Sequence, residues 1–250
     1  MSLAKFWLQS MATTTNCHGV LNPMTASASD LAYDGIRNML TGGELSPGQR
    51  LSQSRLARQL NCSPMPVVEA MRRLESEGLL VKQARKQARV RELSHEDLEG
   101  LYLLREAIES VTARLAAQRA TPEETQVLQE LTQAYERAWE ANHQEADADV
   151  AIHRHIAECA RCPLLKGELD RFLLLERTAG RSLKSQCGRP GHTHIHRALV
   201  QAIVDHDADS AEYLMQKHIQ NGHQEALREF ATQGKKSRIA RRSGTTRNST

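Results

Sequence analysis

The sequence predicts a mostly α protein: an N-terminal winged helix-turn-helix followed by an all-α antiparallel helical bundle. Three observations carry this. Up to Glu92, short capped helices and tight turns lead into one β-patterned stretch with a basic middle. From Ser94 the texture changes to six long amphipathic helical stretches. The composition, 40% hydrophobic, 25% charged and 4% aromatic over 250 residues, is that of a globular chain. No apolar run approaches the roughly 20 residues that a membrane-spanning helix needs.

Residues 1–28 read as a disordered N-terminal extension, without the continuous apolar core of a signal peptide. Residues 29–93 form the winged helix-turn-helix domain. Its first helix, "DLAYDGIRNMLTGG", places Leu31, Ile36, Met39 and Leu40 roughly on one face and stops at Gly42-Gly43. Pro47-Gly48 makes a turn. Ser52 caps a short helix with Leu56, Ala57 and Leu60 inward. Ser63 caps the next, where Pro64 and Pro66 sit in a first turn whose N–H groups are unpaired anyway. Val67, Ala70, Met71 and Leu74 are its buried stripe, and Gly78 ends it. "LLVKQARKQARVREL" is a two-stranded wing with its tip near Arg85-Lys86.

Residues 94–233 form the helical domain. Its first helix starts at Ser94 and runs to Thr121. Pro122 and Glu124 open the second with a capping box. Pro163 separates the third from the fourth. "SQCGRPG" is the loop before the fifth, and Asp207 or Asp209 caps the sixth. Residues 234–250, with six Lys/Arg and no acid, read as a basic disordered tail. The net charge of +3 permits nucleic-acid binding without arguing for it. Five scattered cysteines in a chain this long fit a reducing cytoplasm.

Helix, tight turn, capped helix and wing, carried by "LSPGQRLSQSRLARQLNCSPMPVVEAMRRLESEGLLVKQ", resemble the GntR family of bacterial transcription regulators. The following "LYLLREAIESVTARLAA" is similar to the FadR-type effector domain called FCD. The resemblance covers roughly residues 30 to 230. It implies a homodimer that binds palindromic, double-stranded operator DNA. Its recognition helix usually begins Ser-Arg-Thr-Pro-Val-Arg-Glu-Ala-Leu. Here Pro64 and Val68 replace both arginines, Gln53 stands for a usual Glu, and Gln87 and Ala88 occupy a wing tip that is commonly Gly. The DNA-contacting candidates that remain are Arg50, Ser63, Met65, Arg72, Arg73, Arg85 and Lys86. Phosphate contacts from such a set position a duplex without naming its bases. The competing reading is a winged helix kept only for packing or dimer contact.

Asp149 and His153 are four apart on a face that continues through Ile152, Ile156, Ala157 and Ala160. His196 lies on a stripe with Leu199, Val200 and Ile203, and His218 on one with Ala211, Leu214 and Met215. One carboxylate and three imidazoles thus point inward from three helices. A divalent metal satisfies all four at once: zinc foremost, with nickel, manganese or iron as alternatives. The competing reading is three unrelated core histidines and an N-cap aspartate. Many FCD domains carry this same pattern, an Asp-x-x-x-His pair and two later histidines 22 residues apart, and bind small carboxylates at or beside the metal. Arg105 matches an arginine common in FCD domains and is the candidate carboxylate clamp. Its alternative is a surface arginine paired to Glu109. A weaker zinc reading joins His155 to Cys159 and Cys162. The rival from another class is a metal-dependent hydrolase, for which no His-Glu-x-x-His motif is present. A third reading is a ligand-binding protein with degenerate DNA recognition.

Overall fold

The computed structural model describes residues 26–82, 87–141, 145–178 and 192–244. Among them, nine α-helices and one two-stranded antiparallel sheet give the expected mostly α fold. The winged unit holds α1 (Ala28–Thr41), α2 (Gln53–Gln59), α3 (Pro64–Ser76), β1 (Leu80–Val81) and β2 (Arg89–Val90). The bundle holds α4 (His95–Arg119), α5 (Pro122–Glu140), α6 (Glu145–Cys159), α7 (Pro163–Thr178), α8 (His192–Val204) and α9 (Ala208–Gly244).

Local chemistry explains the boundaries. Ser27 and Asp30 form a capping box at α1, Ser94 and Asp97 at α4, and Thr121 and Glu124 at α5. Asp207 accepts from the Ser210 amide at the start of α9. Gly78 stops the chain after α3 at φ +80°, a conformation that strains any residue with a Cβ. In α1, Ala32, Ile36, Met39 and Leu40 are buried, but Leu31 is 62% exposed. Five residues at about 100° each put Leu31 roughly 140° away from Ile36, and Tyr33 takes the inward place. In α3 the stripe Val67, Ala70, Met71 and Leu74 is buried as expected.

In the wing, Leu80 pairs with Val90 and Val81 with Arg89. The segment from Gly48 to Leu51 adds a further edge, with Leu51 N–H donating to Ala88 and Val90 N–H to Gln49. The expected wing tip at Arg85 and Lys86, the N-terminal extension up to residue 25 and the loop 185–191 lie outside the described residues.

Two main cores result. Ile36, Leu56, Leu74, Leu80 and Val90 centre the winged unit. Leu98, Leu128, Tyr135, Ile152, Leu199 and Met215 centre the bundle. The helix α7 serves both units. Leu169 and Leu173 pack with Val150 and Ala157 of α6, while Phe172, Leu174 and Leu175 join the winged core. Its four consecutive apolar residues are therefore buried all round. Helix α9 lies antiparallel to α4, tied by Arg114 to Asp209 and Glu212, and by Gln216 and Gln220 to Glu106. It continues as helix to Gly244, where the sequence reading expects a disordered tail from 234. The stretch is rich in the good helix formers Lys, Arg, Ala and Gln, with Gly234, Ser237 and Ser243 among them, and no proline stops it.

Candidate functional site

Three bundle helices bring the four candidate ligands together. Asp149 and His153 come from α6, His196 from α8 and His218 from α9, and one ligand atom of each lies within 4.8 Å of the others. All four are buried. His153 Nε2 is 3.0 Å from His218 Nε2, and Asp149 Oδ1 is 3.1 Å from His196 Nε2 and 3.8 Å from His153 Nε2. Asp149 Oδ2 and both ring nitrogens of His196 make no hydrogen bond among the described residues. Apart from the His153–His218 hydrogen bond and the close approach of Asp149 to His196, these buried polar atoms converge on one point with bonding capacity left over, which suits a shared cation.

The shell around these ligands is built from α4 and α7. Glu109 accepts from Nδ1 of His153, which turns Nε2 of that ring toward the other ligands. Arg105, wholly buried, donates through Nε to Glu109 at 2.7 Å and through Nη1 to Glu176 at 3.1 Å. Its Nη2 has no hydrogen-bond partner among the described residues. The Tyr102 hydroxyl donates to Glu176 at 2.7 Å, and Tyr135 meets the edge of His196 at 4.7 Å between centroids. The reading of Arg105 as a surface arginine is corrected: its pair with Glu109 exists, but in the interior, because both residues lie on the face of α4 that meets α6 and α7.

Electrostatics points the same way. Burial disfavours the Asp149 carboxylate, but the three imidazoles outweigh it and hold Asp149 well below the usual range. Burial likewise opposes Glu109, and Arg105 and His153 pull it down. Burial pushes His218 well below the ordinary imidazole value, so it is neutral and able to ligate. Burial raises Glu176, and Glu109 and Asp149 raise His153 against its burial, so without a cation this cluster holds extra protons, and a divalent cation beside Asp149 would take the place of that positive charge. The donor set therefore fits a divalent metal.

The alternative zinc reading finds no support. His155 is buried, but its Nε2 faces the Glu124 carbonyl at 3.2 Å. Burial, with Glu124 and Glu158 nearby, pushes the Cys159 thiol up to about 12, unlike a metal-binding thiolate. Sequence reasoning missed Glu109 as a partner of His153, and it missed Glu176 altogether. The available signal for Glu176 was a lone carboxylate in the apolar run "RFLLLER".

On the winged unit, Arg50, Ser63 and Arg72 are exposed, and Met65 is 62% exposed. Ser63 stands at the N-cap of α3 but makes no side-chain cap bond, so its hydroxyl is available at the helix start. Arg73 is occupied within the fold: it pairs with Asp30 at 3.4 Å and Glu77 at 3.3 Å and covers the Tyr33 ring at 3.9 Å. Glu69, also exposed, shares the outer stripe of α3 with Met65 and Arg72, and sequence reasoning overlooked it.

The FCD domain model matches residues 100–221, and the model of bacterial regulatory proteins of the gntR family matches residues 28–90. An uncharacterized HTH-type transcriptional regulator from the TAR-I ttuE-ttuC' intergenic region of Agrobacterium vitis is 33% identical over 141 residues, covering 54% of this chain and 82% of that protein. The chain belongs to the gntR family. The uncharacterized HTH-type transcriptional regulator YdhC of Bacillus subtilis (strain 168) is 30% identical over 106 residues, or 42% of this gntR-family chain and 47% of YdhC. That alignment spans about half of the relative's length. The solved E. coli McbR/YncC shares the fold, with a TM-score of 0.70 at 22% identity over 82% of this chain and all of that one. These families and relatives are transcriptional regulators rather than enzymes, which removes the hydrolase reading.

Proposed function

We propose that this gntR-family protein is a cytoplasmic, homodimeric regulator that binds double-stranded operator DNA. In this reading its bundle holds one divalent cation at Asp149, His153, His196 and His218 and takes a small carboxylate beside it. The observation that carries the reading is the convergence of four buried ligand atoms, with Glu109 orienting His153 from behind. A bound cation would supply positive charge and open coordination positions for an anionic effector. Arg105 Nη2, buried and without a hydrogen-bond partner among the described residues, is the proposed second anchor for that carboxylate.

For the dimer, support comes from α4, where Leu103, Leu104 and Val111 expose 57, 50 and 41% of their surface in one apolar stripe. For DNA, support comes from the outer stripe of α3 and the edge at Arg50. No helix among the described residues is long and apolar enough to cross a membrane.

The test measures metal content and ligand response together. Purified protein is expected to carry about one divalent ion per chain. His153→Ala should lose most of it and His155→Ala should not. Equal content in the two variants would overturn the ligand assignment. A small carboxylate such as citrate should raise the melting temperature only in the metal-loaded protein, and Arg105→Ala should abolish the rise. A metal-independent rise would place the effector elsewhere.

A further inference from the structure

The recognition helix carries an acid on its outward face, where a negative charge meets DNA at a cost. Asn61, at φ +50°, makes the tight turn before α3. Val67, Ala70, Met71 and Leu74 face the core of the winged unit. On the opposite side Met65, Glu69, Arg72 and Ser76 are all exposed, within one arc of about 60° at about 100° per residue. In a helix-turn-helix this outward face of the second helix is the one that enters the major groove.

Glu69 is not occupied within the fold. Its natural partners on the same helix are Arg72 at i+3 and Arg73 at i+4. Arg73 turns away to Asp30 at 3.4 Å and Glu77 at 3.3 Å. Arg72 is exposed, and neither it nor Glu69 forms an ion pair among the described residues. The carboxylate therefore stands free on a unit whose exposed Arg50 and Arg72 suit phosphates. Phosphates repel it, so it tolerates a bound duplex only where a donor meets it. The base donors in the major groove are the amino groups of cytosine and adenine. Adenine sets its N7 acceptor beside the amino group, which repels a carboxylate, whereas cytosine presents the donor alone. Pro64, Pro66, Val67 and Val68, in the first turns of α3, carry no hydrogen-bonding side chain that would compete for this readout.

We propose that Glu69 reads a base: its carboxylate accepts a hydrogen bond from the 4-amino group of a cytosine in the major groove. Glu69 thereby sets part of the sequence preference, while Arg50 and Arg72 hold phosphates and carry none of it. The inference rests on the DNA-binding reading and on nothing in the bundle.

The experiment selects duplexes that bind the full chain from a library randomised over about 20 base pairs, room for two half-sites about one helical turn apart. The unaltered chain, Glu69→Gln and Glu69→Ala go through the same selection. The unaltered chain should fix a cytosine at one position. Glu69→Gln should turn that position to adenine, since an amide both accepts from the N6 amino group and donates to N7. Glu69→Ala should leave that position open and keep the others. In titrations, replacing the cytosine by thymine should weaken the unaltered chain at least about fivefold and leave Glu69→Ala unaffected. The same selected site in all three chains overturns the inference and leaves the DNA-binding reading intact. An equal loss of affinity for every duplex in Glu69→Ala also overturns it, by making Glu69 a support for Arg72. Selection of no duplex by the unaltered chain overturns both readings. A lower melting temperature in Glu69→Gln would assign the carboxylate to the fold instead.

Discussion

At the scale of single residues, the proposed metal ligands were legible because each lies on an apolar helical stripe, where a polar group needs a reason to be. The residues behind them were not. Glu109 looked like an i+4 partner for a surface arginine, and only packing of α4 against α6 shows that it also holds His153. Its importance can be measured. Glu109→Gln keeps the shape but loses the charge that fixes the His153 tautomer, and such partners typically matter about 10–100-fold in metal affinity. We expect a loss of that size in a chelator competition, and an unchanged affinity would reduce Glu109 to a structural partner of Arg105. The same network sets a pH dependence for the metal-free protein. Asp149 and Glu109 are both held below the usual carboxylate range, so each contributes stability that is present above about pH 4 and lost as pH falls below it. His218, lowered by burial, acts in the same direction from about pH 6.5 downward. His153 acts oppositely: burial lowers it, but Glu109 and Asp149 raise it further, so its contribution is present below about pH 6.5 and fades as pH rises. The urea midpoint of the metal-free protein should therefore fall on acidification, most steeply below about pH 4. A flat profile would contradict the burial of these carboxylates in solution.

At the scale of elements, caps and periodicity gave away most helices. Capping boxes at Ser94 and Thr121 and the proline at position 122 are local signals, and local signals survive folding. The inward place given to Leu31 failed because its angular offset from Ile36 is too large to share a face. What a single sequence could not show is that α7 belongs to two cores at once. Its run "FLLL" is compatible with any buried helix, and only tertiary packing divides its faces. That division has a consequence. Glu176 at one face bonds Tyr102 and Arg105 beside the Asp149–His cluster, while Phe172, Leu174 and Leu175 enter the winged core. Arg171 reaches the Glu77 carbonyl, at the C-terminal end of α3, at 3.4 Å. A ligand that shifts Glu176 therefore acts on a helix already in contact with the recognition unit. Leu175→Ala should cost about 2–5 kcal/mol by opening a cavity in this seam. We expect faster hydrogen exchange in α1 and α3 with metal content unchanged. Equal slowing or speeding in α8 and α9 would mean that the seam does not separate the two units.

At the scale of the whole molecule, the question is how a DNA reader works after losing both arginines of its recognition helix. The outer stripe of α3 now offers Met65, Glu69 and Arg72, and Arg73 is committed to Asp30, Glu77 and Tyr33. A bidentate arginine–guanine pair gives about 1–3 kcal/mol of discrimination, and nothing on this stripe replaces it in kind. Met65 can pack on a thymine methyl but reads no donor or acceptor pattern, whereas Glu69 can accept from a cytosine amino group. Binding should therefore lean on phosphates and fall steeply with salt, nearly one unit of log–log slope for each contact. Arg72→Ala should weaken operator and scrambled duplexes about equally and reduce the slope by about 1. Met65→Ala should leave the slope alone and change the preference between duplexes. The measurement is a salt titration of each variant on both duplexes, made with metal-loaded protein and repeated with a bound carboxylate. If Arg72→Ala weakens only the operator, Arg72 reads a base and the phosphate account of this helix fails. If neither duplex binds at about 50 mM salt in any metal or ligand state, the winged unit is a scaffold, and the proposed metal centre would answer to some other partner.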